Sequence, residues 1–472
     1  MTEKFDYDSY LSVFTWRYGS KEMRKIFSEK NKRKKWRDVW TALAKGEFEY
    51  GLLSKKEFLD IKNKSDSKYI DIDKAHKIEE NIKHDLMAEV LLYSKQAKIG
   101  GGKIHLGATS MDIEDNADML KIIEALNIIY DRSIECLSSL KEQIEKYSNT
   151  PCMGWTHIQP AEPITIGYRF SLYAQDILID LKLLDLILKD IAHGKGFKGA
   201  VGSSASYSTL VGQKNSEQLE DKILDYLNLK SYTITSQIYP RKVDSIILFA
   251  LSSIAQSLHK FALDMRLLQS PPFGEISEPF GKSQVGSSAM PFKRNPIMLE
   301  RINSLTRYVN SLIFVPINNS SNMILERTLD DSANRRIVIP EAFLAIDESL
   351  LLFNKIIKKM TIHESNVKKN LDLYGPFSII ENILLTTAKH GANRQKMHER
   401  LRVLSMKAWK EIEDGKPNNL LLYVENDKLI QKYKINFKLL KPENYVGNIK
   451  MRTKKFLSKD LNPIIKKHMK NS

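Results

Sequence analysis

Apolar residues in this chain recur mainly at the three-and-four spacing of an α-helix. The clearest run extends from Val243 to Leu268, keeps that spacing for about seven turns, and ends at Pro271-Pro272. Tyr168 to His193, Asp112 to Tyr147 and Glu341 to Met360 predict further long helices, whereas alternating strand patterns are scarce. Because apolar residues occupy more than one face of these helices, the pattern predicts an all-α fold built on a long helical bundle.

Interruptions of this pattern divide the chain into three predicted domains. The glycine-rich turn at 101–110 ends a helical N-terminal domain, 1–110, and a central long-helix domain follows at 111–362. Around Ile362 to Gly375 the long-helix pattern gives way to shorter, more polar segments, which predicts a C-terminal helical domain at 363–472. Within the centre, Pro271 to Pro296 is a long irregular stretch, and loops of that length in compact domains tend to be functional.

Composition favours a soluble, cytoplasmic protein. The chain of 472 residues is 42% apolar and 28% charged, which is typical of a globular protein with a large core. The sequence has no run approaching 18 uninterrupted apolar residues, and the charged N-terminus MTEKFDYDSY lacks the apolar segment of a signal peptide. Only Cys136 and Cys152 are present, which suits a reducing compartment. We therefore expect no membrane partner.

The formal net charge of +16 admits a nucleic-acid binder, a membrane-surface protein or an enzyme for polyanionic small molecules. Basic residues concentrate at 30–37 (KNKRKKWR) and at 450–472. Nucleic-acid binding would be favoured by a zinc spacing or by repeated aromatic–basic motifs, and the sequence has neither. We interpret both clusters as solvated helix faces and a tail, and we expect no nucleic-acid partner.

The central stretch PPFGEISEPFGKSQVGSSAMPFKRNP contains the most chemically suggestive residues. Ser287 and Ser288 precede Lys293 and Asn295, and Pro296 is placed to open a helix. Hydroxyls and amide N–H groups beside a lysine suit a carboxylate, although composition alone also fits a solvent-exposed basic loop. The segment has neither Walker spacing nor a nucleophile elbow.

Two other patterns are interpreted as structural. The glycine-rich segment 194–207 (GKGFKGAVGSSASY) lacks the spacing of a phosphate loop, so we predict a tight connection between helices. The spacing of His, Cys, Asp and Glu suggests no metal site, and we expect neither a metal nor an organic cofactor.

GSSAMPFKRNP resembles the signature G-S-S-x-M-P-x-K-x-N-P of the fumarase/aspartase superfamily. Within it, the alanine, the aromatic residue and the arginine of SSAMPFKRNP resemble the adenylosuccinate lyase family rather than fumarase or argininosuccinate lyase. Further segments with counterparts in that family are FTWRYGSKEMRKIFSEKNKRKKWRDVW, KHDLMAEV, HLGATS, WTHIQPAEPIT, SQIYPRKVD and ERTLDDSANRR. The similarity covers roughly residues 14–345 and becomes weaker beyond.

The resemblance implies a three-domain, all-α fumarase/aspartase-like fold whose central bundle associates into a tetrameric core. It also implies β-elimination of fumarate from adenylosuccinate to give AMP, and from the succinylated imidazole-carboxamide ribotide (SAICAR) to give AICAR, in purine biosynthesis. The expected partners are these nucleotides and further copies of the chain, with active sites shared between subunits.

This elimination needs a base at the carbon beta to the leaving nitrogen, an acid at that nitrogen, and stabilisation of the carbanion. By resemblance we assign the acid to His157, with Glu300 orienting it, and the base to Ser287. A serine hydroxyl is a weak base unless Lys293, loop amides and exclusion of water favour its alkoxide, so His84 is the alternative base. Lys293 and Asn295 would stabilise the substrate carboxylate. We predict that residues 281–293, within the signature loop 281–296, form a mobile lid.

The resemblance also supplies substrate-binding residues. Arginine suits phosphate capture, and one of the candidate arginines could instead pair with Asp330 or Asp331. Arg17, Arg327, Ser332 and Arg336 form the expected phosphate set. The remaining predicted contacts to carboxylates and nucleotide are Tyr18, Lys83, His84, Asp85, Thr109, Ser110, Thr156, Gln237, Ser288, Asn295 and Arg301.

Three alternatives remain at this point. A related enzyme such as argininosuccinate lyase would share the signature, but Arg327, Ser332 and Arg336 favour a phosphorylated substrate. A non-catalytic protein on the same fold would not need His157, Ser287 and Lys293 together. An RNA-binding protein is supported by charge alone.

Overall fold

The computed structural model describes residues 8–433, 435–437 and 440–471. The fold is all-α, as the periodicity predicts. Its helices are α1 Lys21–Ile26, α2 Glu29–Glu49, α3 Lys55–Lys64, α4 Ile72–Ile82, α5 Asp85–Gln96, α6 Ser110–Lys146, α7 Ile166–Leu186, α8 Ala205–Val211, α9 Gln213–Leu227, α10 Lys242–Gln269, α11 Ile297–Leu312, α12 Phe314–Asn322, α13 Ser332–Lys359, α14 Glu364–Lys389, α15 Arg394–Glu413, α16 Leu420–Glu425, α17 Ile449–Phe456 and α18 Asn462–Asn471.

Strands make up a small part of the described chain. They are β1 Pro151–Thr156, β2 Gln159–Thr165, β3 Ile276–Ser277 and β4 Thr361–Ile362. β1 pairs antiparallel with β2, and β3 pairs antiparallel with β4. The β1–β2 hairpin was not predicted. Short 3₁₀ turns lie at Val13–Thr15, Ser67–Tyr69, Gly101–Lys103, Ile430–Tyr433 and Pro442–Asn444, and π turns at Ile187–Ile191 and Leu457–Leu461.

Local capping explains where several helices begin. The Ser20 hydroxyl accepts from the Met23 amide, and the Ser28 hydroxyl accepts from the Asn31 amide. Ser54 and Glu57 form a reciprocal capping box at the start of α3. These side chains satisfy amide groups that have no partner inside the helix.

Two of the predicted helix boundaries are wrong, and proline is involved in both. α13 begins at Ser332 and continues through Pro340, whereas the sequence pattern predicted a start at Glu341. α14 is a long helix that includes Pro376, although the pattern predicted only short segments after residue 362. A proline removes one helical hydrogen bond, but apolar residues near each proline are buried. They are Val338, Ala342 and Phe343 in α13, and Ile379 and Ile383 in α14. Their packing outweighs that local loss.

Two compact units are distinguished by their internal contacts. The first comprises the described residues within 1–132, 180–256 and 304–351, and the second comprises those within 133–179, 257–303 and 352–472. The predicted division into three sequential domains stays a prediction.

The core of the first unit explains the basic cluster at 30–37. Arg33 and Arg37 on α2 are fully buried, and both donate to the buried carboxylate of Glu89, at 3.0 and 2.7 Å. Arg37 also stacks on Tyr93, with its guanidinium carbon 4.5 Å from the ring centre. The expectation of a solvated face is therefore wrong for these two arginines. Half-exposed lysines of the cluster pair with acidic side chains, as Lys32 does with Glu29 at 2.8 Å.

The glycine-rich segment 194–207 connects α7 and its π turn to α8, as predicted. Gly202 has a φ of +82°, and a Cβ there would lie 2.0 Å from the Thr235 carbonyl oxygen. The segment is fixed by Asp112 of α6, whose carboxylate pairs with Lys195 and accepts from the Gly199 amide at 3.2 Å.

In the second unit, α14, α15 and α16 enclose an apolar core. Its buried members are Ile379, Ile383, Leu384, Met397, Leu401, Leu404, Ala408, Leu420, Val424 and Ile430. α14 also packs against the β1–β2 hairpin, where the Trp155 ring meets Phe273 and Tyr374 edge to face. The C-terminal helices therefore support the hairpin.

Among the described helices, Lys242–Gln269 alone has the length and apolar composition of a membrane span. Its most apolar stretch is 56% buried, which is the pattern of a core helix.

Candidate active site

His157 lies at the turn of the β1–β2 hairpin in the second unit. Thr156 pairs with Gln159, so His157 and Ile158 form a two-residue turn. Both have left-handed backbone conformations, with φ of +53° and +60°. That conformation is strained for the β-branched Ile158, whose side chain is 62% exposed. Strain of this kind is found at functional sites, and here it presents His157 at an exposed tip.

A buried network fixes the hairpin and the start of the signature loop. Arg169 of α7 donates to the Met153 carbonyl at 2.6 Å and to Glu275 at 3.1 Å. Asn370 of α14 donates to the other oxygen of Glu275 at 3.0 Å. A charged pair buried in this way requires good geometry, so the loop entrance has a defined position beside β1.

The signature loop surrounds Ser287 with its own amides. The Ser287 Oγ accepts from the Ala289 amide at 3.3 Å and from the Met290 amide at 3.0 Å. The Asn295 side-chain amide donates to the Gly286 carbonyl at 3.0 Å. A Cβ on Gly286 would lie 2.0 Å from the Lys293 carbonyl oxygen, so glycine is required where the loop crosses itself. The loop has a defined internal geometry although Ser288 and Lys293 are exposed.

Helix α11 begins at Ile297, one residue after Pro296, close to the predicted start. The buried carboxylate of Glu278 caps it, accepting from the Met298 amide at 3.1 Å and the Leu299 amide at 3.0 Å. On this helix the Glu300 carboxylate lies 3.5 Å from the Arg266 guanidinium. The predicted contact of Glu300 with His157 stays a prediction, as does the nucleotide-binding role of Arg301.

In the first unit, the predicted residues Lys83, His84 and Asp85 form the junction between α4 and α5. Lys83 ends α4 in a left-handed conformation, with φ of +56°. The His84 Nδ1 accepts from the Met87 amide at 3.4 Å, so His84 caps α5. Asp85 accepts from Arg336 Nη2 at 2.9 Å. Burial opposes ionisation of Asp85, but Arg336 and the Leu86 amide outweigh it and lower the pKa of that carboxyl.

Thr109 and Ser110 lie where α6 begins. The Thr109 amide donates to Asp112 Oδ2 at 3.0 Å, and Ser110 is the first helical residue. Farther along the unit, the Gln237 amide donates to the Glu326 carbonyl at 3.4 Å. Near the N-terminus, the Arg17 Nε lies 3.3 Å from the Tyr18 hydroxyl oxygen.

Three residues of the predicted phosphate set line one cavity of about 320 Å³ in the first unit. They are Arg327, Ser332 and Arg336. Sequence reasoning missed Lys32 of α2 and Lys121 of α6, which also line it. It likewise missed the acidic members on α6, namely Glu114, Asp115 and Asp118. The sequence does contain a signal for these acidic residues. Glu114 and Asp118 follow Thr109-Ser110 and are four positions apart, which puts them on one face of the helix.

Most cationic groups around the cavity already have acidic partners. Arg327 donates to Asp331 at 2.7 Å, which is the pairing that the sequence allowed for one arginine. Asp331 also accepts from the buried Arg241 at 2.7 Å. The Lys121 ammonium lies 2.8 Å from Asp118. An anion entering this cavity therefore meets preorganised cations but has to compete with carboxylates.

Two carboxyls of α6 respond to this environment in opposite directions. Burial raises the pKa of Glu114 to about 8, and the nearby charges of Asp85 and Asp118 add to that rise. Burial also raises the pKa of Asp118, but the positive charges of Lys121 and Arg335 have the larger effect and lower that pKa to about 2.

Comparison with known proteins finds relatives over nearly the whole chain. Residues 17–310 match a family model described as Lyase, and residues 376–456 match one described as Adenylosuccinate lyase C-terminus. The chain is 37% identical to the adenylosuccinate lyase of Saccharomyces cerevisiae, covering 97% of this chain and 96% of that protein. It is 38% identical to the adenylosuccinate lyase of Pyrococcus abyssi, covering 92% and 94%.

Solved structures share the fold at lower sequence identity. A fumarate lyase of a Mesorhizobium species superposes with a TM-score of 0.83 at 21% identity, covering 96% of this chain and 100% of that one. A 3-carboxy-cis,cis-muconate lactonizing enzyme of Pseudomonas putida gives a TM-score of 0.84 at 22% identity, covering 94% and 98%.

Fold, signature loop and family model together define a lyase of the fumarase/aspartase superfamily. Within that class, the relatives that match nearly the full length and the C-terminal family model identify the particular family. The chain belongs to the adenylosuccinate lyase family.

Proposed function

We propose that this protein eliminates fumarate from adenylosuccinate to give AMP, and from SAICAR to give AICAR, by general acid–base catalysis. The observation that carries the proposal is the cavity lined by Arg327, Ser332 and Arg336 in a chain of this family. Two arginines and a hydroxyl around one opening suit a phosphate monoester. Argininosuccinate has no phosphate, so this arrangement favours the nucleotide substrates.

The geometry of Ser287 supports its proposed role as the base. Two backbone amides donate to its Oγ, at 3.0 and 3.3 Å, and donors of this kind favour a negatively charged oxygen. Lys293 follows in the same loop and would add a positive charge. Closure of the loop over a ligand would exclude water and strengthen both effects.

His84 is less well arranged for that role. Its Nδ1 accepts from the Met87 amide, so the proton of a neutral ring resides on Nε2. The ring then offers a donor instead of a free lone pair. We therefore propose that His84 binds the substrate, with its neighbours Lys83 and Asp85, and that Ser287 takes the proton.

His157 is proposed as the acid that protonates the leaving nitrogen, because a protonated imidazole can donate to a departing amine. Lys293, Asn295 and Ser288 would stabilise charge on the succinyl carboxylates together with Thr109, Ser110, Thr156 and Gln237. Arg17, Tyr18 and Arg301 would complete the nucleotide site. Glu300 would orient His157.

We also propose that the protein is a homotetramer with active sites shared between subunits. Leu172, Ile179 and Leu186 lie seven residues apart on α7 and are 50%, 55% and 48% exposed. Residues at that interval form one stripe along a helix. On α10, Phe249 and Leu263 are each 52% exposed. Apolar stripes on long central helices would be covered by the same helices of other copies, in a cytoplasmic enzyme that needs no membrane partner.

Direct assay of the purified protein tests the reaction. Incubation with adenylosuccinate should cause an ultraviolet absorbance change together with equimolar AMP and fumarate, and SAICAR should give AICAR and fumarate. Cleavage of argininosuccinate instead would assign the chain to the alternative enzyme. Failure to cleave any of the three would overturn the proposed activity.

A further inference from the structure

One acidic side chain in the cavity has no role in the reaction proposed above. Glu114 of α6 lines the same opening as Arg327, Ser332 and Arg336. Within the described part of the chain its carboxyl has neither a hydrogen-bond partner nor an ion-pair partner. Its neighbour Asp118, one turn farther along α6, is by contrast paired with Lys121 at 2.8 Å.

The position of Glu114 requires an explanation because an anion is expected in this cavity. An ionised carboxylate beside a phosphate would repel it, whereas a neutral carboxyl has an O–H that can donate to a phosphoryl oxygen. Burial and the charges of Asp85 and Asp118 favour the neutral form near pH 7, with a pKa of about 8. Arg336 acts in the opposite direction.

We propose that Glu114 is a specificity-determining residue of the phosphate subsite, donating a hydrogen bond to the phosphoryl group held by Arg327, Ser332 and Arg336. Loss of its proton converts the donor into a repelling charge and weakens phosphate binding. This inference rests on the proposed nucleotide substrate but concerns a residue outside the predicted phosphate set.

Other charged groups lie on the elements around the cavity, and the test has to separate their titration from that of Glu114. They are Glu29 and Lys32 on α2, Asp85 on α5, Asp115, Asp118 and Lys121 on α6, Arg327 in the loop before α13, and Arg335 and Arg336 on α13. The substrate phosphate has a second pKa near 6 and stays a dianion above pH 7. A loss of affinity at higher pH would therefore originate in the protein.

The test measures AMP affinity by isothermal titration calorimetry at about pH 7 and about pH 9. If the ionised form does not bind, affinity falls tenfold per pH unit above a pKa of 8, so the unmodified protein should bind AMP about tenfold more weakly at pH 9. Glu114→Gln keeps the size and a donor but has no charge to gain, so its affinity should stay within about twofold. Adenosine lacks the phosphate, and its affinity should not change.

Two variants complete the design. Glu124→Gln changes a carboxyl farther along α6 that pairs with Lys35 and does not line the cavity, so it should keep the tenfold loss. Glu114→Ala removes the donor and should weaken AMP binding at pH 7 about three- to tenfold. If the alanine variant does not fold, the isosteric glutamine variant carries the test.

The same tenfold loss in Glu114→Gln, or no loss in the unmodified protein, would overturn the role of Glu114. These outcomes are distinct from failure of the proposed reaction. A protein that binds AMP with the predicted profile but does not cleave adenylosuccinate would overturn the reaction alone.

Discussion

Asp85 and Arg336 form an ion pair in which the guanidinium Nη2 lies 2.9 Å from Oδ2, although the residues are 251 positions apart in the sequence. Both were predicted to bind the nucleotide, one from KHDLMAEV and the other from ERTLDDSANRR. This carboxylate neutralises the charge of the arginine. A phosphate would take the place of Asp85 on Arg336, which leaves the carboxylate available for another part of the nucleotide.

Arg336→Lys tests this exchange. Lysine keeps the charge but loses the planar fork, so KM for adenylosuccinate should rise about tenfold or more while kcat changes less. Steady-state kinetics provide the measurement. Arg402→Lys is the matched control, because Arg402 pairs with Glu399 on the surface of the other unit. Equal effects in the two variants would argue against a phosphate contact at Arg336.

His157→Ala and Ser287→Ala should each lower kcat far more than they raise KM, because acid and base act in the transition state. A loss of about 10²–10⁴-fold is expected for each. His84→Ala should mainly raise KM. Near-normal turnover by Ser287→Ala, together with a collapse of kcat in His84→Ala, would transfer the role of base to His84.

Residues 281–293 are predicted to close over the ligand. Limited trypsin digestion should cut first at Lys282, Lys293 or Arg294, and AMP with fumarate should slow that cleavage. Lys389, at the exposed end of α14, is the internal control, since its cleavage should not respond to ligand. Equal protection of the loop with and without the products would contradict a gating role.

The shared-site tetramer makes two measurable predictions. Light scattering should give about four times the chain mass of 54.3 kDa. Mixing inactive His157→Ala and Ser287→Ala proteins under subunit exchange should restore partial activity, because some sites then receive both intact residues. A fully active monomer would refute shared sites. Exchange without recovery would mean that one chain supplies both residues to each site.

The buried carboxyl of Glu47 should make the free energy of unfolding depend on pH. It is fully buried on α2, and its Oε1 has no hydrogen-bond partner within the described residues. Burial raises its pKa to about 9, against a weaker opposite effect of Lys103. The folded state therefore binds more protons than the unfolded state between about pH 4.5 and 9, so stability falls as pH rises through that interval.

Glu47→Gln should remove this dependence. Its free energy of unfolding relative to the unmodified protein should increase by up to about 1.4 kcal/mol per pH unit between pH 6 and 8. Denaturant unfolding at several pH values measures the difference. Glu399→Gln, at the surface pair with Arg402, should leave the slope unchanged. A parallel slope in Glu47→Gln would show that another group is responsible.

The sequence alone determined the all-α class, the main long helices and the family. Apolar periodicity is a local property, so α6, α10 and α7 together with its π turn could be predicted to within a few residues. The signature GSSAMPFKRNP identified the superfamily because its residues are adjacent in the chain. The separate segment ERTLDDSANRR suggested Arg327, Ser332 and Arg336 as a phosphate set, but chain order does not reveal that they line one cavity.

The tertiary structure decided those features that depend on contacts between residues distant in the sequence. The hairpin that carries His157 is held by α14 and by the Arg169–Glu275 pair, and its two-residue turn is too short to show any periodicity in the sequence. Packing carries α13 through Pro340 against its local preference. Of the basic residues at 30–37, Arg33 and Arg37 are buried because both pair with Glu89, whereas lysines of the same cluster are half-exposed. The protonation of Glu114 likewise depends on burial and on Asp85 and Arg336, because desolvation and Coulomb interactions act through space rather than along the chain.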